Sequence, residues 1–106
     1  DGIKEIIQQI NQITHHQLHF VLGVVGDKDC SPVLRLLPKR AIYYFCRAEI
    51  PRAMPQDELA DTAISIGLKG KAYSSVKKAL TAAQKNAGRS DLVFVGGSTF
   101  VVAEVI

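Results

Sequence analysis

The stretch LHFVLGVVGDKDCSP (residues 18–32) decides the fold class. It begins as a nearly continuous apolar run bounded by Gly26, which is typical of a strand covered on both faces, as in a parallel sheet. Ser31 suits a helix N-cap and Pro32 the first helical position, so a short helix is expected at residues 31–39, ending near Pro38. The stretch therefore predicts a buried strand, a charged turn and a helix.

The same alternation of strand and helix continues outward from this stretch. Isoleucines at helical spacing predict an amphipathic helix before it, which Asp1 can cap. Further strands are predicted at 41–48 and 91–97, and further helices at 57–67 and 75–88, with KGKAYS (69–74) as a short connection. We expect a layered α/β domain with a mainly parallel sheet and right-handed crossovers. The sequence does not decide whether residues 98–106 form the second strand of a hairpin or a helix.

Composition narrows the class of protein. The chain has 106 residues, 47% of them hydrophobic and 22% charged, which indicates one soluble globular domain. Its apolar runs are far shorter than the ~20 residues of a membrane span. The net charge of +3 is spread along the chain, which does not favour nucleic-acid binding. Cys30 and Cys46 fit neither a zinc site nor a disulfide framework, so reduced thiols in the cytoplasm are expected.

Three polar segments follow predicted strands, at the sheet edge where ligands of open α/β sheets bind. They are GDKD (26–29), RAEIPRAMP (47–55) and GGST (96–99). Lys28 could hold a carboxylate, while Asp27 and Asp29 could accept hydrogen bonds from an ammonium group or hold water around a metal ion. The alternative is an ordinary solvated turn.

The other two segments offer similar choices. Arg52 could pair with a carboxylate or phosphate, or be a surface charge. Ser98 after two glycines could contact a substrate lying against the backbone, or cap a helix. The histidines at 15, 16 and 19 straddle a predicted helix-to-strand boundary and are not expected to form a metal site. No P-loop motif is present, so this sequence alone should not activate ATP.

Four segments in this order resemble the C-terminal domain of the folylpolyglutamate synthase family, whose members are often bifunctional with dihydrofolate synthase. They are DG (1–2), GVVGDKD (23–29), PRAMP (51–55) and DLVFVGGSTFVVAEV (91–105). The family belongs to the Mur ligase superfamily. The resemblance implies a Rossmann-like domain of the Mur ligase C-terminal type and a helix after Ser98.

The resemblance also implies an activity. Such ligases use ATP and Mg²⁺ to phosphorylate a carboxylate of a folate or dihydropteroate substrate, and L-glutamate then attacks the acyl phosphate. ATP and the metal would be bound mainly by an N-terminal ATPase domain of the same chain. The sequence lacks an initiator Met, and residues 1–106 are expected to be one domain of a larger, monomeric, cytoplasmic enzyme, inactive in isolation.

Carried over by position, the resemblance assigns site residues. Asp1 and Gly2 would lie near the nucleotide, and no metal ligand or catalytic residue is expected within 1–106. The expected glutamate-binding residues are Asp27, Lys28, Asp29, Arg52, Gly97 and Ser98. Two alternatives remain open: a stand-alone small-ligand-binding or regulatory α/β domain, and the C-terminal domain of a peptidoglycan Mur ligase.

Overall fold

The computed structural model describes residues 2–13, 16–26, 30–97 and 99–106. Five helices and four strands alternate along these ranges. The helices are α1 (Gly2–Gln12), α2 (Ser31–Leu34), α3 (Gln56–Ile66), α4 (Val76–Asn86) and α5 (Thr99–Ala103). The strands are β1 (Leu18–Leu22), β2 (Ile42–Phe45), β3 (Lys69–Ala72) and β4 (Leu92–Gly96). No described helix is long and apolar enough to cross a membrane.

The four strands form one parallel sheet in the order β3-β2-β1-β4. The central strand β1 is fully buried, as its continuous apolar run predicts. The sequence of strand β4, LVFVG, is also an apolar run, but its first four residues are only partly covered. Within the described sheet β4 has a neighbour on the β1 side alone, which explains the difference.

Strand β3 was not predicted, because KGKA contains no apolar run. It forms through close backbone pairing with β2, since a Cβ atom on Gly70 would lie 2.2 Å from the Tyr43 carbonyl oxygen. Lys69 and Lys71 are exposed along this outer strand, where charged side chains discourage pairing with another chain. The expected connection at 69–74 is therefore corrected: residues 69–72 form a strand, and only 73–74 connect it to α4.

Each face of the sheet has its own core. Helices α1, α2 and α3 cover one face, where the rings of Phe20, Tyr43 and Phe45 stack at centroid distances of 5.5 and 5.8 Å. Helices α4 and α5 cover the other, around Val21 and Tyr44. The predicted Rossmann-like α/β fold, with helices on both faces of a parallel sheet, is confirmed.

Helix boundaries differ in detail from the expectations. Helix α2 begins at Ser31, its N-cap residue is Cys30 with no side-chain cap bond, and it ends at Leu34 rather than near Pro38. Gly67 ends α3 in the left-handed conformation, as predicted. The hydroxyl of Ser75 caps α4. The C-terminal segment, for which the sequence allowed a hairpin strand or a helix, forms helix α5. The capping role of Asp1 lies outside the described residues.

A buried polar network joins the elements at the amino edge of the sheet. His19, only 2% exposed, lies between Tyr44 and Asp91, with its Nδ1 2.8 Å from the Tyr44 hydroxyl and its Nε2 2.8 Å from Asp91 Oδ2. A carboxylate can only accept, so Nε2 carries a proton. Asp91 also accepts from the backbone N–H groups of Gly88 and Gln17, which fixes the α4–β4 connection against β1.

Candidate functional site

The strand order locates the crevice in which a ligand would bind. From β1 the chain moves outward through β2 to β3, and α4 then carries it back past β1 to β4. The order reverses between β1 and β4, and open α/β sheets bind ligands beyond the carboxyl ends of the strands at such a point. The segments after these strands begin at Gly23 and Gly97, the same two regions that the sequence singles out.

The turns after β1 and β2 are tied together by backbone hydrogen bonds. The N–H of Gly26 donates to the carbonyl of Arg52 at 2.8 Å, and the N–H of Met54 donates to the carbonyl of Val24 at 3.0 Å. Val25 and Ala53 form an antiparallel bridge between these bonds. The PRAMP segment therefore lies directly beside the residue that precedes the charged turn.

The ends of β1 and β4 also lie close together. The N–H of Gly23 donates to the carbonyl of Gly96 at 3.4 Å. A Cβ atom on Gly97 would lie 2.2 Å from the Gly23 carbonyl oxygen, and Gly97 has a φ of +98°, so a side chain is excluded on both counts. The described parts of the three segments, Gly26, residues 52–54 and residues 96–97, thus lie at one rim of the sheet, which we call the carboxyl rim.

The individual site residues fall into two groups. Arg52 is exposed on the carboxyl rim, and Gly97 lies at the junction of β1 and β4. Gly2 begins α1, whose residues Ile10 and Asn11 line a hollow with Leu18 at the amino edge. The roles assigned to Asp1, Asp27, Lys28, Asp29 and Ser98 fall on residues outside the described ranges.

Two hollows flank the 47–53 loop on the carboxyl rim. One, of about 340 Å³, has a mixed polar and apolar lining and lies near Arg47, Glu49 and Ser74. The other, of about 330 Å³, is mostly apolar; its lining residues are Val25, Ile50, Pro51, Arg52 and Phe100. Sequence reasoning identified Arg52 but missed the apolar walls, although Phe100 follows directly after GGST.

The carboxyl rim is also linked to the C-terminal residues that follow α5. The backbone N–H of Glu49 donates to the Glu104 carboxylate, which links the end of α5 to the loop after β2. Beneath this link Cys46 is fully buried, and burial, followed by the nearby Glu104 charge, raises the pKa of its thiol to about 12. Cys46 is therefore an inert packing residue at neutral pH.

The described residues offer no metal centre of their own. Among them no group of three His, Cys, Asp or Glu side chains could hold a metal ion. His19 is engaged by Tyr44 and Asp91 on the amino side of the sheet, away from the carboxyl rim. Within the described part of the chain, the rim can thus supply a cation, backbone groups and an apolar wall.

Comparison with known proteins agrees with this geometry. The family model described as "Mur ligase, glutamate ligase domain" matches residues 1–99. The chain belongs to this family. A probable bifunctional folylpolyglutamate synthase/dihydropteroate synthase of Haloferax volcanii is 31% identical over 107 residues, covering 98% of this chain and 12% of that protein.

This glutamate ligase domain is similar to parts of solved structures of folate enzymes. Escherichia coli FolC in complex with DHPP and ADP superposes with a TM-score of 0.85 and 26% identity. A bifunctional folylpolyglutamate synthase/dihydrofolate synthase with Mn, AMPPNP and L-glutamate bound gives 0.85 and 28%. In both cases 98% of this chain is covered, but only 25% of the solved chain. The domain therefore corresponds to a quarter of these relatives.

Proposed function

We propose that this chain is the glutamate-side domain of an ATP-dependent ligase that adds L-glutamate to a folate or dihydropteroate acid. The single observation that carries the proposal is the convergence of the segments after β1, β2 and β4 on the carboxyl rim, where the strand order reverses. Membership of the glutamate ligase domain family and the likeness to folylpolyglutamate synthases support it.

The proposed reaction has two steps. A carboxylate oxygen of the acceptor attacks the γ-phosphorus of ATP, ADP leaves, and an acyl phosphate forms. The amino group of glutamate, having lost a proton from its ammonium form, then attacks the acyl carbon, and phosphate leaves as the amide forms. Relatives bind ADP or AMPPNP with Mn, so ATP and Mg²⁺ are the proposed cofactors. By the family resemblance, the metal would be held mainly by another domain.

Each proposed site residue meets a need of the incoming amino acid. Glutamate brings two carboxylates and an ammonium group, so its site requires fixed cations, N–H donors and an acceptor. Lys28 and Arg52 would supply the cations, and Asp27 or Asp29 the acceptor for the ammonium group. Gly97 lies close against Gly23, and Ser98 would offer its hydroxyl and N–H. These last assignments rest on the family resemblance together with the placement of Arg52 and Gly97.

Two other residues and a second domain complete the proposal. Asp1 and Gly2 would lie on the nucleotide side of the crevice. The rest of the enzyme, about three quarters of its relatives' length, would contribute the N-terminal ATPase domain, and this domain alone would be inactive. We further propose a cytoplasmic monomer, in which Cys30 and Cys46 stay reduced and form no disulfide.

The test is glutamate-dependent activity of the intact enzyme carrying Lys28→Ala, Ser98→Ala or Arg52→Gln. We expect the KM for glutamate to rise about tenfold or more with the Kd for ATP unchanged, because each change removes a charge-assisted contact. Arg89→Gln is the matched control, since Arg89 is an exposed arginine on the α4–β4 connection at the amino edge. Wild-type glutamate kinetics in all three rim variants would reject the proposal.

A further inference from the structure

Glu104 is the one charged side chain in the C-terminal segment STFVVAEVI (98–106). It is partly buried, and it makes no ion pair with the described residues. Its carboxylate instead accepts from the backbone N–H of Glu49, 55 residues earlier in the sequence. A free negative charge at a rim proposed for a dianionic amino acid would repel that ligand, whereas a carboxylate that accepts from a loop can hold the loop in place.

The packing of α5 determines where this carboxylate lies. Val101, only 1% exposed, belongs to the same core cluster as Ala48, the residue before Glu49. A Cβ atom on Gly23 would lie 2.7 Å from Val101 Cγ2, so α5 is packed closely against the end of β1. The N–H of Glu104 donates to the Val101 carbonyl at 3.3 Å, which places Glu104 one turn further along the chain, beside the loop after β2.

Glu104 holds the middle of the loop after β2, and β1 holds the two ends of that loop. At one end the residue after β2 donates its N–H to the end of β1 at 2.9 Å, and at the other residues 52–54 pair with the turn after β1. In the described part of the chain, the bond from Glu49 to Glu104 is the one hydrogen bond that joins residues 47–51 to another element. Arg52 directly follows this middle section, so the course of the section sets the direction in which the exposed arginine side chain leaves the rim.

We infer that Glu104 is a positioning residue for the incoming glutamate: by accepting from the Glu49 N–H, it holds the loop in the conformation in which Arg52 meets a substrate carboxylate. The inference rests on the proposed function and deepens it, because Glu104 contributes to glutamate affinity without touching the substrate. The bond also couples two sides of the proposed site, since α5 begins at Thr99, directly after Ser98.

The size of the expected effect follows from the fraction of molecules in which the loop is in place. When the binding-competent conformation is only partly populated, the apparent affinity falls in proportion to that population. Without the Glu104 carboxylate, about a tenth to a third of the molecules should remain competent, so the KM for glutamate should rise about three- to tenfold. The kcat should stay within about twofold of wild type, because saturating glutamate selects the competent loop.

Kinetics of the intact enzyme carrying Glu104→Ala or Glu104→Gln test the inference. Glu104→Ala should raise the KM for glutamate and leave the Kd for ATP unchanged. Glu104→Gln should restore the KM to within about twofold of wild type, because the amide oxygen can still accept from the Glu49 N–H. Equal impairment of the two variants would overturn the inference, because the carboxylate would then act through its charge on the substrate. Glu49→Ala is the matched control, since it removes a carboxylate from the same loop and keeps the backbone N–H.

Hydrogen exchange of the same intact variants, measured by mass spectrometry on a peptide spanning residues 47–54, follows the loop itself. Exchange should be faster in Glu104→Ala than in wild type, because the Glu49 amide loses its acceptor, and close to wild type in Glu104→Gln and Glu49→Ala. A raised KM with unchanged exchange in this peptide would overturn the inference. Faster exchange throughout the domain would also overturn it, because the effect would then be a general loss of stability.

Combination with Arg52→Gln separates the inference from the proposed function. In the Arg52→Gln background, Glu104→Ala should change the KM for glutamate by less than about twofold, because the loop no longer carries the side chain that it positions. Additive effects would overturn the inference. A raised KM in Arg52→Gln with a wild-type KM in Glu104→Ala would reject the inference and leave the glutamate site standing. Wild-type KM values in Lys28→Ala, Ser98→Ala and Arg52→Gln would reject the proposed function, and the inference with it.

Discussion

Substitution of Gly97 by alanine should damage the fold by an amount that depends on the packing of β1 against β4. The new Cβ atom would lie 2.2 Å from the Gly23 carbonyl oxygen and 2.7 Å from Leu22 Cδ1. Neither neighbour can move easily, because Leu22 is fully buried and the Gly23 backbone is hydrogen-bonded to Gly96. The substitution therefore combines a steric conflict with an unfavourable backbone conformation.

The two contributions can be given separate magnitudes. A non-glycine residue in the left-handed region costs about 1–2 kcal/mol, and overpacking a tight interior costs about 1–3 kcal/mol. Gly97→Ala should thus lower the free energy of unfolding by about 2–5 kcal/mol, a large share of the ~5–15 kcal/mol typical of a domain. Gly26 provides the matched control: its φ is +105°, but a Cβ atom there would have no neighbour within 4 Å among the described residues.

Urea denaturation followed by circular dichroism measures both variants. Gly26→Ala should lose only the conformational part, about 1–2 kcal/mol, and Gly97→Ala should lose more, with the m-value unchanged in each case. Gly88→Ala should be nearly neutral, because a Cβ atom there would lie 3.7 Å from Asp91 Oδ2, an ordinary contact distance, and Gly88 is not in the left-handed conformation. Equal losses at positions 26 and 97 would refute the claim that the β1–β4 junction is sterically closed.

Three further predictions concern the two edges of the sheet. The Gly88 N–H and then the His19 ring hold the pKa of Asp91 below its ordinary value of 3.8, so Asp91 stabilises the fold above that pH and the benefit is lost as pH falls through the lowered pKa. Urea melts of Asp91→Asn between pH 7 and 3 should accordingly show a smaller acid-induced loss than wild type. Tyr44→Phe, which removes the hydroxyl beside His19, should cost about 1 kcal/mol in the same assay. Iodoacetamide at pH 8 should label Cys46 only in urea, as read by mass spectrometry, because burial raises its thiol pKa to about 12.

The carboxyl rim could be predicted from the sequence because its position depends only on the order and direction of the strands. Once residues 18–26 are identified as a buried parallel strand, the segments after each parallel strand must emerge on the same edge, whatever the details of packing. The placement of Arg52 beside Gly26 follows this rule. Likewise Gly67 could be identified as a helix end, because glycine is the residue that adopts the left-handed C-terminal conformation at least cost.

Features set by tertiary contacts could not be predicted in this way. Strand β3 has two exposed lysines and a glycine, and it exists because Gly70 allows close pairing with β2. His19 belongs to an apolar run in the sequence, and its partner Asp91 lies 72 residues away. The hollow around Phe100 depends on where α5 packs, which local periodicity does not determine. Each of these depends on a neighbour that is distant in sequence.

The two edges of the sheet differ in how they are held together, and the difference bears on function. At the amino edge, the side chains of His19, Tyr44 and Asp91 are hydrogen-bonded to one another, so changing them should alter stability. At the carboxyl rim, the approach of β1 to its neighbours relies on backbone hydrogen bonds and on Gly97. The exposed Arg52 makes no ion pair with the described residues. A change at Arg52 should therefore have little effect on folding, whereas the proposed glutamate site predicts an effect on binding.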